Sequence, residues 1–252
     1  MRFISTGTLH RLSCEVISVK VKRLFSLAVI YSAVLLLVFA ATNLTGAVAT
    51  MVVEKSPLER HHTVIIDPGH GGEDGGATSV AGILESEYNL RISIKLRDLF
   101  HLLGFRTEMI RTEDISVYTT GKTIAEKKVS DLKNRVKTVN ETDNAILISI
   151  HQNYFSDSRY AGAQVFYASA GESKHLAEAL QASFRESINT GSKRNAKMAE
   201  GIYLMERINC TGILVECGFL SNHSEEASLR TDEYQRKICC IIASTVATFL
   251  TK

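Results

Sequence analysis

Tryptophan is absent from the 252 residues, and proline occurs only twice. So little proline excludes a proline-rich scaffold, and sixteen glycines without a triplet repeat exclude a collagen-like one. Cysteine is sparse too. Cys14, Cys210, Cys217, Cys239 and Cys240 make an odd set with no C-x-x-C spacing, and the adjacent pair is poorly placed to bridge itself. Neither a disulfide framework nor a cysteine zinc site fits them, so Cys210, Cys217 and one of the 239–240 pair are expected as packing residues. There is also no internal repeat, no low-complexity tract and no excess of one charge, since 29 basic residues face 27 acidic ones. The small surplus is local: Arg2, Arg11, Lys20, Lys22 and Arg23 precede residue 24 against Glu15 alone, so 24 basic and 26 acidic residues remain beyond it. A slightly acidic body offers no electrostatic footprint for nucleic acid, and that class is set aside. With 45% hydrophobic and 22% charged residues the chain has globular composition, and its length predicts about one to two domains.

What is present first is one long apolar run. No charged residue occurs from Leu24 to Val53, and Leu24–Ala41 is eighteen apolar residues long, about enough to cross a bilayer core. The cluster Lys20, Lys22, Arg23 directly precedes it, which by the positive-inside rule places residues 1–23 in the cytoplasm and the body outside. The length favours an uncleaved membrane anchor over residues 24–49. Ala47-Val48-Ala49, with small residues at −3 and −1 of a cut after Ala49, favours a cleaved signal. Either reading exports the remainder. Residues 50–61, polar from Glu54 and including Pro57, read as a linker to a body over 62–252.

In the body, β-branched runs alternate with helical patterns. Strands are predicted over 62–67, 105–111, 145–151, 163–168, 201–205 and 212–216. A helix is predicted over 84–104, where Tyr88, Ile92, Leu96, Leu99 and Leu103 share a face and Gly104 is the C′ residue. Others are expected over about 122–140, over 172–189 and from Asp232, the last with Tyr234, Ile238, Ile242, Val246 and Phe249 on one face. This alternation predicts one α/β domain with a mixed, mostly parallel sheet flanked by helices on both faces, preceded by the N-terminal hydrophobic helix.

Chemistry in such folds collects at the carboxyl ends of strands. The first strand runs into Asp67-Pro68-Gly69-His70-Gly71-Gly72-Glu73-Asp74-Gly75-Gly76, five glycines in eight residues from Gly69. This is no phosphate loop, because neither G-x-G-x-x-G nor G-x-x-x-x-G-K is present. It presents His70 at a strand end. The third strand likewise stops at His151, the strand over 212–216 ends in Glu216, and Glu85 opens the first helix. Two histidines and the Glu85 carboxylate match a catalytic His₂Glu zinc set with a fourth position for water, and Glu216 would then supply the general base.

These residues resemble a known family. DPGHGG, Gly82-Ile83-Leu84-Glu85 with Asn89-Leu90, Ser149-Ile150-His151, and Val215-Glu216-x-Gly218-Phe219-Leu220-Ser221-Asn222 follow one another as in the zinc-dependent N-acetylmuramoyl-L-alanine amidases. Ile110-Arg111-Thr112-x-Asp114 and Arg135 fit the connecting motifs, so the resemblance spans about residues 62–250. It implies zinc (Zn2+) on His70, Glu85 and His151, catalytic Glu216, and cleavage of the amide between the muramic lactyl group and L-alanine in peptidoglycan. The short loop after His151 and Gly162–Ala168 are most similar to the germination-specific, spore-cortex amidases, whose stem-peptide removal precedes muramic-δ-lactam formation. A partner lipoprotein is compatible with that role. The chain departs from the pattern at Gln152, where a small residue commonly stands, and at Cys210-Thr211-Gly212, which replaces a proline-containing entry; neither is expected to touch a ligand.

Competing readings attach to the same residues. Glu73 forms His70-x-x-Glu73, which with His151 imitates a zinc carboxypeptidase set. A non-catalytic wall-binding module is a second alternative, but it has no use for Glu216. Cys217 lacks a neighbouring base and is expected to pack rather than attack. Asn222 with Glu225 reads as a helix N-cap box, Arg111 and Asp114 as a structural pair, and His61, His62, His101, His175 and His223 as surface or linker residues.

Overall fold

The computed structural model describes residues 30–37 and 62–251. The chain divides into two compact units, Met1–Lys55 and Ser56–Lys252. In the first, residues 30–37 are helical and exposed. Among the described residues no helix is long and apolar enough to cross a membrane, and the remainder of the segment read over 24–49, like residues 1–23 and the linker over 50–61, lies outside them.

The second unit is an α/β layer structure. Strands β1 (Thr63–Pro68), β2 (Arg106–Met109), β3 (Ala145–Asn153), β4 (Gln164–Tyr167), β5 (Lys197–Met198) and β6 (Thr211–Phe219) form a six-stranded sheet in the order β2-β1-β3-β6-β4-β5. All pairings are parallel except β4 with β6, so the expected mixed, mostly parallel sheet is present. Helices α1 (Glu85–Leu102), α2 (Ile124–Asn140), α3 (Ser173–Ser187), α4 (Tyr203–Arg207), α5 (His223–Leu229) and α6 (Asp232–Leu250) surround it.

Strand alternation sorts the sheet into two faces. Val64, Ile66, Ile146, Ile148, Ile150, Ile213 and Val215 are buried in the larger core with Ile92 and Leu96 of α1, Leu176 and Leu180 of α3, and Ile238, Ile242 and Val246 of α6. Ile65, Leu147 and Leu214 belong to a smaller core with Val139 of α2 and Leu204 and Met205 of α4. Because both faces are covered, β1 and most of β3 are buried at every position rather than at alternate ones. The opposite face of β1, β3 and β6 therefore continues, beyond Ile65, Leu147 and Leu214, into Asp67, Ser149, His151 and Glu216. The smaller core is the floor on which those polar residues stand.

Two local expectations differ from what is observed. Residues 201–205 are not a strand: Gly201 turns with φ of 75° and donates its N–H to Glu206 Oε1 at 2.7 Å, and the chain enters the short helix α4. Short apolar runs carry no periodicity that separates the two states, and the edge strand is β5 instead. Asn222 does cap α5, accepting from Ser224 N at 3.1 Å and Glu225 N at 3.0 Å. Glu225 does not complete the box, because its carboxylate accepts from Gly162 N and Phe219 N, each at 2.8 Å. A reciprocal capping box exists between Thr123 and Glu126 of α2. The cysteines pack broadly as expected, with Cys217 and Cys239 buried, Cys210 half-buried and Cys240 exposed.

One buried ion pair joins the faces' outer layers to β1. Asp67 and Arg135 of α2 contact each other with almost no solvent exposure, and Ser149 Oγ donates to Asp67 Oδ2 at 2.6 Å. Burial alone would raise the Asp67 pKa, but Arg135 and Ser149 outweigh it and hold it below the ordinary 3.8. This contribution to stability is therefore complete above about pH 4 and is lost as pH falls through the lower folded-state value. Arg135→Leu, which leaves the carboxylate buried and unpaired, is expected to destabilise the body by about 3–5 kcal/mol, read as a lowered urea midpoint. An unchanged midpoint would show that Asp67 is satisfied without Arg135.

Candidate active site

The glycine loop after β1 is built around two buried arginines. Arg111 donates from Nε to Pro68 O at 2.9 Å and from Nη2 to Gly69 O and Ser86 O, both at 3.0 Å. Arg135 donates to Pro68 O at 3.0 Å and to His70 O at 2.8 Å. The expected Arg111–Asp114 pair is present at 4.0 Å, and Asp114 also accepts from Gly72 N at 3.1 Å, so the pair holds the loop from two sides. A guanidinium offers five donors in a fixed fork, which suits it to several carbonyls that a tight turn leaves unpaired.

The same loop caps the next helix. Leu84 provides no side-chain cap to α1; Glu85 N donates to Ala77 O at 2.8 Å and Ser86 N to Gly75 O at 3.1 Å. These loop carbonyls take up N–H groups that a helix start leaves free, and they lock His70 and Glu85 into one unit. His70 itself adopts φ of 60°, a left-handed conformation uncommon outside glycine. Its ring is held from both sides, with Nδ1 3.0 Å from Asp74 Oδ2 and Nε2 3.3 Å from Glu85 Oε2. Glycine is required beside it at two places: a Cβ on Gly69 would lie 2.2 Å from His151 Nε2, and one on Gly76 would lie 2.5 Å from Glu85 Oε2.

Glu85 is almost fully buried between the two histidines. His151 Nδ1 is 3.0 Å from Oε1, and the carboxylate also accepts from Gln152 N (3.2 Å), Asn89 Nδ2 (3.3 Å) and Ala77 N (3.0 Å). Burial would raise its pKa, but hydrogen bonding to His151 and His70 and their charge hold it far below the usual carboxylate range. Burial would lower the His70 pKa, yet Asp74 and Glu85 lift it to about 9. Gln152 corrects an expectation here, since its backbone contacts Glu85 directly and its side-chain Nε2 donates to Asn89 Oδ1 at 3.2 Å.

Glu216 stands opposite His151 in the β3–β6 register. Its environment is the reverse of that of Glu85. One carboxylate oxygen is buried with no hydrogen-bond partner, and burial, reinforced by the nearby Glu85 and opposed by His151 and His70, pushes its pKa up to about 7. His70, His151 and Glu216 line a cavity of about 210 Å³ together with Ile202 and Tyr203.

One donor atom each from His70, Glu85 and His151 lies within 4.8 Å of the others. Zinc with bonds of about 2.0–2.2 Å to two histidines and a carboxylate requires ligands about 3.4 Å apart, so these three fit a metal ion. The remaining sides of the donors are already oriented, Glu85 by Asn89 and Gln152, His70 by Asp74, as metal ligands require. Glu73 is not part of the cluster: it is half exposed and receives Lys127 Nζ at 2.7 and 3.0 Å.

Residues 64–248 match the family described as N-acetylmuramoyl-L-alanine amidase. The chain belongs to that family. The amidase is 35% identical over 191 residues to the germination-specific N-acetylmuramoyl-L-alanine amidase of Bacillus subtilis, covering 75% of this chain and 80% of that protein. It is 28% identical over 202 residues to the probable cell wall amidase LytH of Staphylococcus aureus, covering 78% of this chain and 60% of that protein. Among solved structures, it superposes with a TM-score of 0.72 and 35% identity on the CwlD amidase from Clostridioides difficile in its complex with the GerS lipoprotein, covering 75% of this chain and 98% of that one. The reaction class is accordingly hydrolysis of the N-acetylmuramoyl-L-alanine amide of peptidoglycan.

Sequence reasoning missed the roles of Arg111, Arg135, Asn89 and Gln152. Its available signal was chemical: arginines within or near apolar patterns must find acceptors. Zinc titration checks the amidase's donor set. His70→Ala, Glu85→Ala and His151→Ala should each abolish binding, whereas Glu73→Ala should bind as the wild type does. The reverse result for Glu85 and Glu73 would reinstate the carboxypeptidase-like set.

Proposed function

We propose that the amidase is zinc-dependent, with His70, Glu85 and His151 as metal ligands and Glu216 as the group that moves the proton. The observation carrying this reading is the contrast between two buried carboxylates 131 positions apart in sequence: Glu85 receives several donors, while Glu216, in the cavity that His70 and His151 also line, has an unpartnered oxygen. His70, Glu85 and His151 would hold the zinc ion, which would supply Lewis acidity toward the scissile carbonyl and acidify a bound water. Glu216, whose buried oxygen has no hydrogen-bond partner, takes the proton from the attacking water. It then delivers that proton to the alanine nitrogen, because an amide cannot leave as an unprotonated anion at neutral pH. Asp74 keeps the His70 ring oriented, and Asn89 and Gln152 hold the Glu85 carboxylate in place.

The substrate is assigned to spore-cortex peptidoglycan, where removal of the stem peptide leaves the muramic acid available for δ-lactam formation. Support comes from the germination-specific relative at 35% identity and from the short connection between β3 and β4. The body acts outside the cytoplasm, exported by the apolar segment over 24–49 as a membrane anchor or a cleaved signal. A lipoprotein partner is included in the reading because the similar CwlD amidase was solved with one.

Glu216→Gln preserves size but cannot carry a proton, so it should retain zinc and lose roughly 10²–10⁴-fold in rate. Mass spectrometry of muropeptides treated with the wild type should show a free lactyl carboxylate and a stem peptide with a free alanine amine. Release of a C-terminal amino acid alone would mean a carboxypeptidase, and full activity in Glu216→Gln would remove the proposed base. A reporter fused after residue 60 should be active only outside the cytoplasm; activity inside would overturn the topology.

A further inference from the structure

A second cleft opens beside the candidate active site. It has a volume of about 770 Å³ and includes Asn153, two residues beyond His151, and Gln164, which pairs with Glu216 across β4 and β6. It therefore begins one strand away from the group assigned to proton transfer. Gln164 Nε2 donates to Asn195 O at 2.8 Å, tying the segment 192–197 along the far wall. The near wall is aromatic: Phe155 and Tyr160 pack edge to face at 4.8 Å, and Tyr160 lies 6.2 Å from Phe219.

The charge of this cleft is one-sided. Lys193, Arg194 and Lys197 line it, and no acidic residue does. The Arg194 guanidinium sits 5.0 Å over the Phe219 ring. Glu225 is within electrostatic reach of Arg194, but it does not line the cleft and both of its oxygens accept from backbone N–H groups, of Gly162 and Phe219. Three cations and exposed aromatic edges thus face the solvent beside the cavity.

We infer that this cleft binds the peptide half of the substrate, with Lys193, Arg194 and Lys197 pairing with its carboxylates. The inference rests on the amidase reading for the identity of the two halves. The scissile amide separates them unequally in charge. The lactyl carboxyl is consumed in the amide and N-acetylated sugars carry no ionised group, so the glycan half is neutral. The peptide half ends in a carboxylate, and every acidic side chain in it would add another. A cationic, acid-free cleft complements only the second, while the aromatic wall covers the peptide's apolar surface. Peptides with more free carboxylates should therefore be the preferred substrates.

The full chain is compared with its Lys193→Ala/Arg194→Ala/Lys197→Ala variant on two muropeptides of equal length, one with free and one with amidated peptide carboxylates. For the free form, KM is expected to rise about tenfold with kcat unchanged, as for three exposed ion pairs, and the amidated form should change little. The wild-type preference for the free form should shrink as salt is raised. Arg194→Lys should keep most of that preference, which distinguishes charge from folding. Separately, an acidic tripeptide beginning with L-alanine is titrated into both proteins by calorimetry, without turnover. Peptide binding that depends on the three cations supports the cleft even if the wild type cleaves neither muropeptide, an outcome that would sink the amidase reading alone. Equal losses on both muropeptides, or unchanged peptide binding in the variant, overturn the inference.

Discussion

Asp67 must remain charged where water hardly reaches it, at the end of a strand buried on both faces. Coulombic attraction in such a place is strong, and so is the cost of leaving either partner alone. The answer is Arg135, reaching from α2 to Asp67 and spending its remaining donors on Asp131 and the carbonyls of Pro68 and His70. The pair thereby fixes the height of α2 over the sheet and the path of the glycine loop at the same time. Ser149 brings β3 into the same arrangement. The position of His151, two residues further along β3, inherits its precision from a contact in which it takes no part.

Two carboxylates that act on the same pair of histidines, His70 and His151, are set apart by what surrounds them. Glu85 is dense with donors and is kept ionised; Glu216 is sparse and is kept near neutrality. Paired titratable groups with opposed environments are the usual way one site performs both charge stabilisation and proton transfer at one pH. The difference arises from the fold rather than from residue type. Glu85 begins a helix whose N-terminus is wrapped by a loop, so amides converge on it. Glu216 lies inside a strand whose backbone N–H groups are already used in the ladder, so none is left to reach its side chain.

The sheet, the long helices and the convergence of His70, Glu85 and His151 were legible because each leaves a periodic or terminal mark: apolar runs stop at His70's loop and at His151, and Tyr88, Ile92 and Leu96 recur on one helical face. What could not be read depended on partners distant in sequence. Arg135 is an ordinary helical arginine until the carbonyls of Pro68 and His70, more than sixty positions earlier, are brought to it. Glu225 sits at the right spacing for a cap, yet Gly162 and Phe219 present N–H groups that compete for it. Residues 201–205 offered only a short apolar run, and the turn at Gly201 settled it as helix. Leu103 was placed on the helix's buried face, but the helix stops at Leu102 and Phe100 takes that room in the core.

The reversed direction of β4 has a consequence for how the domain can diversify. Because β4 runs against β6, its first residue lies next to Glu216, and the chain from Asn153 needs only to turn over the sheet's rim to reach it. The connection 154–163 supplies no metal-binding donor and no element of either core apart from Ala163. Its ends are pinned independently, by Ser221 at Phe155 and by Asn189 at Ala163. Length can accordingly be added between those two pins at the modest entropic cost of enlarging a loop, which makes this rim the place where one hydrolytic core can be fitted with awnings of different sizes for walls of different construction.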